Sequence, residues 1–158
     1  MRILIDGCDG TGKTSVAEKL ANRLNCDIIR LTHNGDGSFR KYMEVMIPEN
    51  MVHDRTFISE LIYPKYFGRK SKLDSGSEMT LFNLLDQYDC KVFIFTAEKS
   101  ELEKRLRARG DDFLKNYGQI NGIRFDYLRY AYMYGFEIID TTNKTVDEVV
   151  DEVERKIR

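Results

Sequence analysis

Short apolar runs alternate with amphipathic segments along this chain, and the alternation predicts a three-layer α/β fold, a five-stranded parallel sheet with helices on both faces. Two further observations agree. A glycine-rich stretch, GCDGTGKT at 7–14, lies between the first strand and the first helix. No repeat, linker or low-complexity tract divides the 158 residues, so 1–158 reads as a single domain with its own core.

Taken in order, RILID (2–6) is a short buried strand, and TSVAEKLANRL (14–24) is an amphipathic helix with Val16, Leu20 and Leu24 on one stripe. DIIRL is the second strand. NGDGS is a turn cluster, and Ser38 is placed to cap a helix over 39–46. NMVHD is the third strand, followed by the helical RTFISELIYPKYF. SGSEMTLFNLLDQY is a capped helix that leads into CKVFIFT, the clearest strand of the chain. SELEKRLRARG is a helix stopped by Gly110. A polar stretch follows, then a Tyr-rich helix over about 119–134, the strand FEIID and a last helix, TVDEVVDEVERKI.

Composition excludes several classes. A net charge of −1 asks for no nucleic-acid or membrane surface. The apolar runs are strand-sized, far below the roughly 20 residues of a membrane span. MRILID is too short for a signal peptide, because Asp6 and the glycines interrupt it at once. Cys8, Cys26 and Cys90 are odd in number and lack metal-ligand spacing, which fits buried thiols in a reducing cytoplasm.

Gly7, Gly12, Lys13 and Thr14 satisfy G-x-x-x-x-G-K-[ST], with a strand before and a helix after, as a phosphate-binding loop requires. Four specified positions match by accident in well under about 1% of chains this long. Backbone N–H groups along 7–15 (Gly7, Asp9, Gly10, Thr11, Gly12, Lys13, Thr14 and Ser15) would turn toward phosphate oxygens, and the helix adds its positive end. Lys13 supplies a cation for the outer phosphates, and the Thr14 hydroxyl suits Mg2+. The expected cofactors are therefore ATP and Mg2+, on a P-loop fold. A GTPase switch is disfavoured: in NKTV, Val146 replaces the aspartate of an Asn-Lys-x-Asp guanine reader, and Phe57 stands where D-x-x-G would need glycine after Asp54.

With its internal aspartate, GCDGTGKT resembles the loop of thymidylate kinase and its relatives among the P-loop nucleotide and nucleoside kinases. HDRTFISELIY is similar to that family's Asp-Arg segment, with Asp54, Arg55, Ser59 and Tyr63 in place. RLRARGDD resembles its arginine-rich lid, here about 105–118, and IDTTNKTVDEVVDEV its final strand and helix, whose loop lies against adenine. These blocks span nearly the whole chain. Only 40 residues separate Lys13 from Asp54, about half of what the family's full-length kinases use; the compact size suggests a phage or otherwise reduced member, and base recognition is not expected to carry over residue by residue.

The resemblance implies Mg-ATP-dependent transfer to a nucleoside monophosphate, such as dTMP or a modified analogue. The alternatives are a kinase of a nucleoside or other hydroxyl, including a modified DNA base, and a nucleotide-binding regulatory protein. The partner expected is a small-molecule nucleotide, with no membrane and no nucleic acid, and with a homodimer left open.

Arg55 follows the third strand, at the sheet edge where open α/β folds hold ligands, and its fork suits an acceptor phosphate. Asp54 has two candidate roles, holding Mg2+ or accepting a proton from a hydroxyl; its plainer reading is a cap for the next helix. Arg105 and Arg109 share a helix face, and the lid reading puts Arg109 on the transferring phosphate and Arg105 beside adenine. The plainer reading there is a basic face paired with Glu101 and Glu103. Asp9 is a candidate for the acceptor sugar, Phe39 and Arg40 for the acceptor base and its phosphate, and Thr142 and Asn143 for the donor base. Phe39 also reads as core. Tyr127, Tyr130 and Tyr134 follow helical spacing and read mainly as packing; His33 and His53 carry no assigned chemistry.

Overall fold

The computed structural model describes residues 1–32, 37–110 and 117–158. The chain runs β1 (Arg2–Gly7), α1 (Lys13–Leu24), β2 (Asp27–Arg30), α2 (Phe39–Met46), β3 (Met51–Asp54), α3 (Phe57–Tyr66), α4 (Ser75–Gln87), β4 (Cys90–Thr96), α5 (Lys99–Ala108), α6 (Tyr117–Tyr134), β5 (Glu137–Asp140) and α7 (Val146–Ile157). The five strands form one parallel sheet in the order β2-β3-β1-β4-β5. Chain direction across the sheet reverses at β1, and the carboxyl end of such a strand opens onto a crevice.

The pleat sorts the residues of β1 and β4 between two cores. Ile3, Ile5, Phe93 and Phe95 pack with Val16 and Leu20 of α1 and Val149, Val150 and Val153 of α7. Leu4, Val92 and Ile94 face the other way, into a larger cluster with Phe57, Ile58 and Ile62 of α3, Leu81 and Phe82 of α4, and Ile120, Ile123 and Tyr127 of α6. The expected three layers are those found.

Polar side chains set the helix starts. Ser38 accepts from the Lys41 N–H at α2, and Asp74 from the Ser77 N–H at α4. Thr145 and Glu148 close a capping box on α7. Before α3 the cap is Thr56, not Asp54, because Arg55 adopts a left-handed conformation (φ 76) and delays the helix to Phe57. The stop at Gly110 holds, with α5 ending at Ala108 and Gly110 at φ 66. Of the thiols only Cys8 is buried; Cys26 and Cys90 are half-buried, and all three are free. Asp111, Asp112 and His33 lie outside the described residues, as does 111–116 of the lid.

His53 on β3 is in register with Leu4 and is buried, and its Nε2 has no hydrogen-bond partner among the described residues. Burial, and then the nearby Arg2, lower its pKa from 6.5 to about 4. The unfolded chain therefore binds this proton first. The stabilisation from the neutral ring is fully present above about pH 6.5 and is lost as pH falls toward 4, to a total on the order of 2–3 kcal/mol. Urea unfolding of H53L between pH 7 and 4 should show a shallower loss of stability than the wild-type chain; parallel curves would remove His53 as the cause.

Candidate active site

The loop after β1 is a cradle made possible by missing side chains. Gly7 has φ 142, and a Cβ there would lie 2.2 Å from the Phe95 carbonyl oxygen on the adjacent strand. Gly12, at φ 82, turns the chain into α1. Lys13 is 5% exposed, and its Nζ donates to the Cys8 carbonyl at 2.8 Å, so the ammonium is folded into the loop rather than reaching out. Burial, and then the positive charge of Arg55, lower its pKa; Asp9 and Asp6 oppose this. Thr14 and Ser15 are exposed on the first turn of α1.

Facing the cradle is the turn after β3. The Arg55 guanidinium donates to Asp9 Oδ1 at 2.5 Å and lies over the Tyr63 ring at 5.6 Å from its centroid. Tyr63 donates its hydroxyl to Asp9 Oδ2 at 2.9 Å. Burial works to raise the Asp9 pKa, but Lys13 and then Arg55 outweigh it and hold the carboxyl below its usual range. Asp9 and Arg55, distant in sequence, are thus one charged unit at the mouth of the loop. Asp54 is 5% exposed and lies on the α1 side of the sheet, in register with Ile5. Its Oδ1 is buried without a hydrogen-bond partner among the described residues.

On the other side of the loop a cleft of about 500 Å3 is lined by Gly10, Gly12 and Val16, by Arg105 and Arg109, and by Thr141, Lys144 and Thr145. Arg105 is locked: it donates to Glu101 at 2.8 Å, to the Gly10 carbonyl at 3.1 Å, and to the Thr141 hydroxyl and carbonyl at 3.0 and 2.8 Å. Arg109 is exposed at the rim.

The loop after β5 lines the cleft with Thr141, Lys144 and Thr145. Thr142 accepts from the Glu98 N–H at 2.8 Å, Asn143 occupies a left-handed turn (φ 53), and neither lines the cleft. Phe39 packs against the larger core, which is its plainer reading. Arg40 is 87% exposed and pairs with Glu44 one turn along α2.

Two residues at the site escaped the sequence reading. Asp6, 0% exposed, accepts hydrogen bonds from four segments of the chain. Its signal was available, a carboxylate ending an apolar strand just before the glycine loop. Arg124 of α6 donates to the Thr96 hydroxyl at 3.0 Å, and its charge acts on Cys8 within the loop. Nothing in a Tyr-rich helix singles it out.

No family model matches the chain. The SPbeta prophage-derived uncharacterized protein YorR of Bacillus subtilis is 31% identical over 121 residues, which cover 72% of each chain. Its crystal structure, solved in complex with phosphorylated GDP, superimposes with a TM-score of 0.84 at 24% identity, over 99% of this chain and 95% of that one. A probable thymidylate kinase of Methanocaldococcus jannaschii is 23% identical over 97% of this chain and 93% of its own length. Thymidylate kinase from Candida albicans has a TM-score of 0.66 at 17% identity, over 98% of this chain and 89% of that one. With the glycine loop, the Asp-Arg turn and the sheet order all in place, the chain belongs to the thymidylate kinase-like family of P-loop kinases.

Proposed function

We propose that the protein transfers the γ-phosphoryl group of ATP to a nucleoside monophosphate, most readily a deoxynucleotide. The observation that carries the reading is the meeting of Arg55 with Asp9 inside the phosphate loop, which brings a planar, permanently charged fork to the mouth of the cradle. Lys13 and the loop N–H groups hold the donor phosphates from one side. Arg55 grips the acceptor phosphate from the other, exchanging Asp9 for the anion. An acceptor oxygen attacks the γ-phosphorus, the bond to the β-bridging oxygen breaks, and the donor leaves as a nucleoside diphosphate. A phosphate acceptor needs no general base, so this work is positioning and charge neutralisation.

The residues present fit a magnesium ion. Thr14 is exposed at the start of α1, and Asp54 presents a buried oxygen without a partner among the described residues. Among the described residues no group of three or more His, Cys, Asp or Glu side chains is placed to hold a metal, and Mg2+ held chiefly by nucleotide phosphates requires none. Bound there, the ion would neutralise charge on the β- and γ-phosphates. Arg105, with its guanidinium plane fixed by four hydrogen bonds, offers a stacking face to the donor base, and Arg109 stands at the rim for the transferring group.

K13A should lower transfer at least about 100-fold. Its unfolding free energy should move by no more than about 1 kcal/mol, since Thr11 still donates to the Cys8 carbonyl. Wild-type turnover by this variant would overturn the cradle assignment.

The donor is expected to be ATP or dATP rather than GTP, with Thr141 and Lys144 at the base edge in place of Thr142 and Asn143. The relative solved with phosphorylated GDP makes guanine nucleotides the competitor to test. Competition binding in which GTP wins by tenfold would reverse this expectation.

Losing Arg55 would leave a partly dry acceptor anion unpaired, at a cost of about 2–5 kcal/mol, or roughly 30- to several-thousand-fold in kcat/KM. R55K should recover only part of this, because an ammonium lacks the planar fork. D54N should also slow transfer, without being uniquely fatal. The measurement is acceptor-dependent transfer by wild type, R55A and D54N, with deoxynucleoside monophosphates and free nucleosides side by side. Activity confined to nucleosides, with R55A nearly unimpaired and D54N dead, would establish a hydroxyl acceptor instead.

A further inference from the structure

Asp6 is the residue before Gly7, on the face of β1 that looks toward α3 and α6. Its Oδ1 accepts from the Gly7 N–H at 2.8 Å, the Tyr127 hydroxyl at 2.8 Å and the Ser59 hydroxyl at 2.9 Å. Its Oδ2 accepts from the Thr56 N–H at 2.9 Å and the Thr56 hydroxyl at 2.7 Å. None of these donors is a cation. A carboxylate this deep is costly to bury, and a full set of hydrogen bonds to both oxygens is what offsets the cost. Only a group that accepts at every site fits, and an amide of the same shape would turn N–H against N–H.

The position of this hub explains its chemistry. Arg55 is in the left-handed region, which a bulky side chain disfavours. The turn is held in that conformation from both ends: the Arg55 N–H donates to the Ile5 carbonyl at 2.9 Å, and the next N–H, that of Thr56, donates to Asp6. The same carboxylate grips the first N–H of the phosphate loop. One side chain therefore sets where the cradle begins and where the arginine facing it stands.

We propose that Asp6 is a positioning residue that holds Arg55 in its left-handed turn and so aims the guanidinium at the mouth of the phosphate loop. The proposal rests on the reading of Arg55 as the acceptor-phosphate ligand. Asp6 touches no reacting atom; it also bears on the cradle through the Gly7 N–H, so the part of its effect that falls on the acceptor is the part that should vanish when Arg55 is absent.

Two measurements test this. In steady-state kinetics with Mg-ATP and a deoxynucleoside monophosphate, D6N should lower kcat/KM for the acceptor by about 30-fold and leave KM for ATP within about threefold. Adding D6N to R55A should cost less than about threefold more. A D6N penalty of the same size in both backgrounds would overturn the proposal, since a merely structural role is indifferent to Arg55.

The second measurement does not depend on activity. Urea unfolding of D9N, R55A and the double variant gives the coupling between Asp9 and Arg55, expected as about fivefold in the folding constant. Repeated with D6N, the coupling should fall to near unity; an unchanged coupling would refute the positioning role. Should D6N not fold, D6A, which removes the acceptor of the Thr56 N–H without setting an amide N–H against it, carries the same cycle, with the same outcomes. Absence of transfer to any monophosphate by the wild-type protein would sink the kinase reading alone, and the unfolding cycle would still decide the role of Asp6.

Discussion

A side chain at Gly7 would collide with the Phe95 carbonyl, so the phosphate loop can leave the sheet at this point only through glycine. That constraint organises the site. β1 is the central strand, bonded to β3 on one side and β4 on the other, and its carboxyl end is where the chain reverses direction across the sheet. The loop released there wraps back onto α1, while Asp6, one residue earlier, reaches the turn that carries Arg55. Two adjacent residues, one lacking a side chain and one with a buried carboxylate, thus register the two charged walls of the crevice.

The cations of the crevice are each held by protein partners. Lys13 is held by a carbonyl of its own loop, Arg55 by Asp9, and Arg105 by Glu101, Gly10 and Thr141. In the proposed reaction a phosphate would exchange partners with groups already ordered and partly desolvated, leaving little reorganisation for the moment of transfer. The mutual bias of the groups follows from the same arrangement: Arg55 lowers the pKa of Lys13, and both cations keep Asp9 ionised. An anionic ligand relieves the repulsion between the two cations.

Behind the loop, α1 must hold its first turn still. The apolar stripe of Val16, Ala17 and Leu20 packs on Val149, Val150 and Val153 of α7. Arg23 bridges Asp147 and Asp151, and Lys19 joins the first of them. These ion pairs are largely exposed and add little each. The packing of α1 on α7 is what holds the turn.

The alternation of period-2 and period-3.6 patterns determined the element order, the parallel sheet and nearly every helix boundary, because those depend on local propensity and on which residues repel water. The loop motif was legible for the same reason: its chemistry is backbone geometry, written in consecutive residues. Legibility stopped where partners are distant in sequence. Asp6 looked like the end of a strand until Thr56, Ser59 and Tyr127 converged on it. That Arg40 pairs with Glu44 on an exposed face, and that the Thr142 hydroxyl accepts from the Glu98 N–H, could not be read from either residue's neighbours in sequence. The cap of α3 moved from Asp54 to Thr56 because Arg55 is held left-handed by contacts that its neighbours in sequence do not supply. Sequence alone determined which groups could do the chemistry, since that is a property of each residue. Tertiary structure decided which of them face one another across the crevice, since a hydrogen bond or a charge pair requires two groups to meet in space.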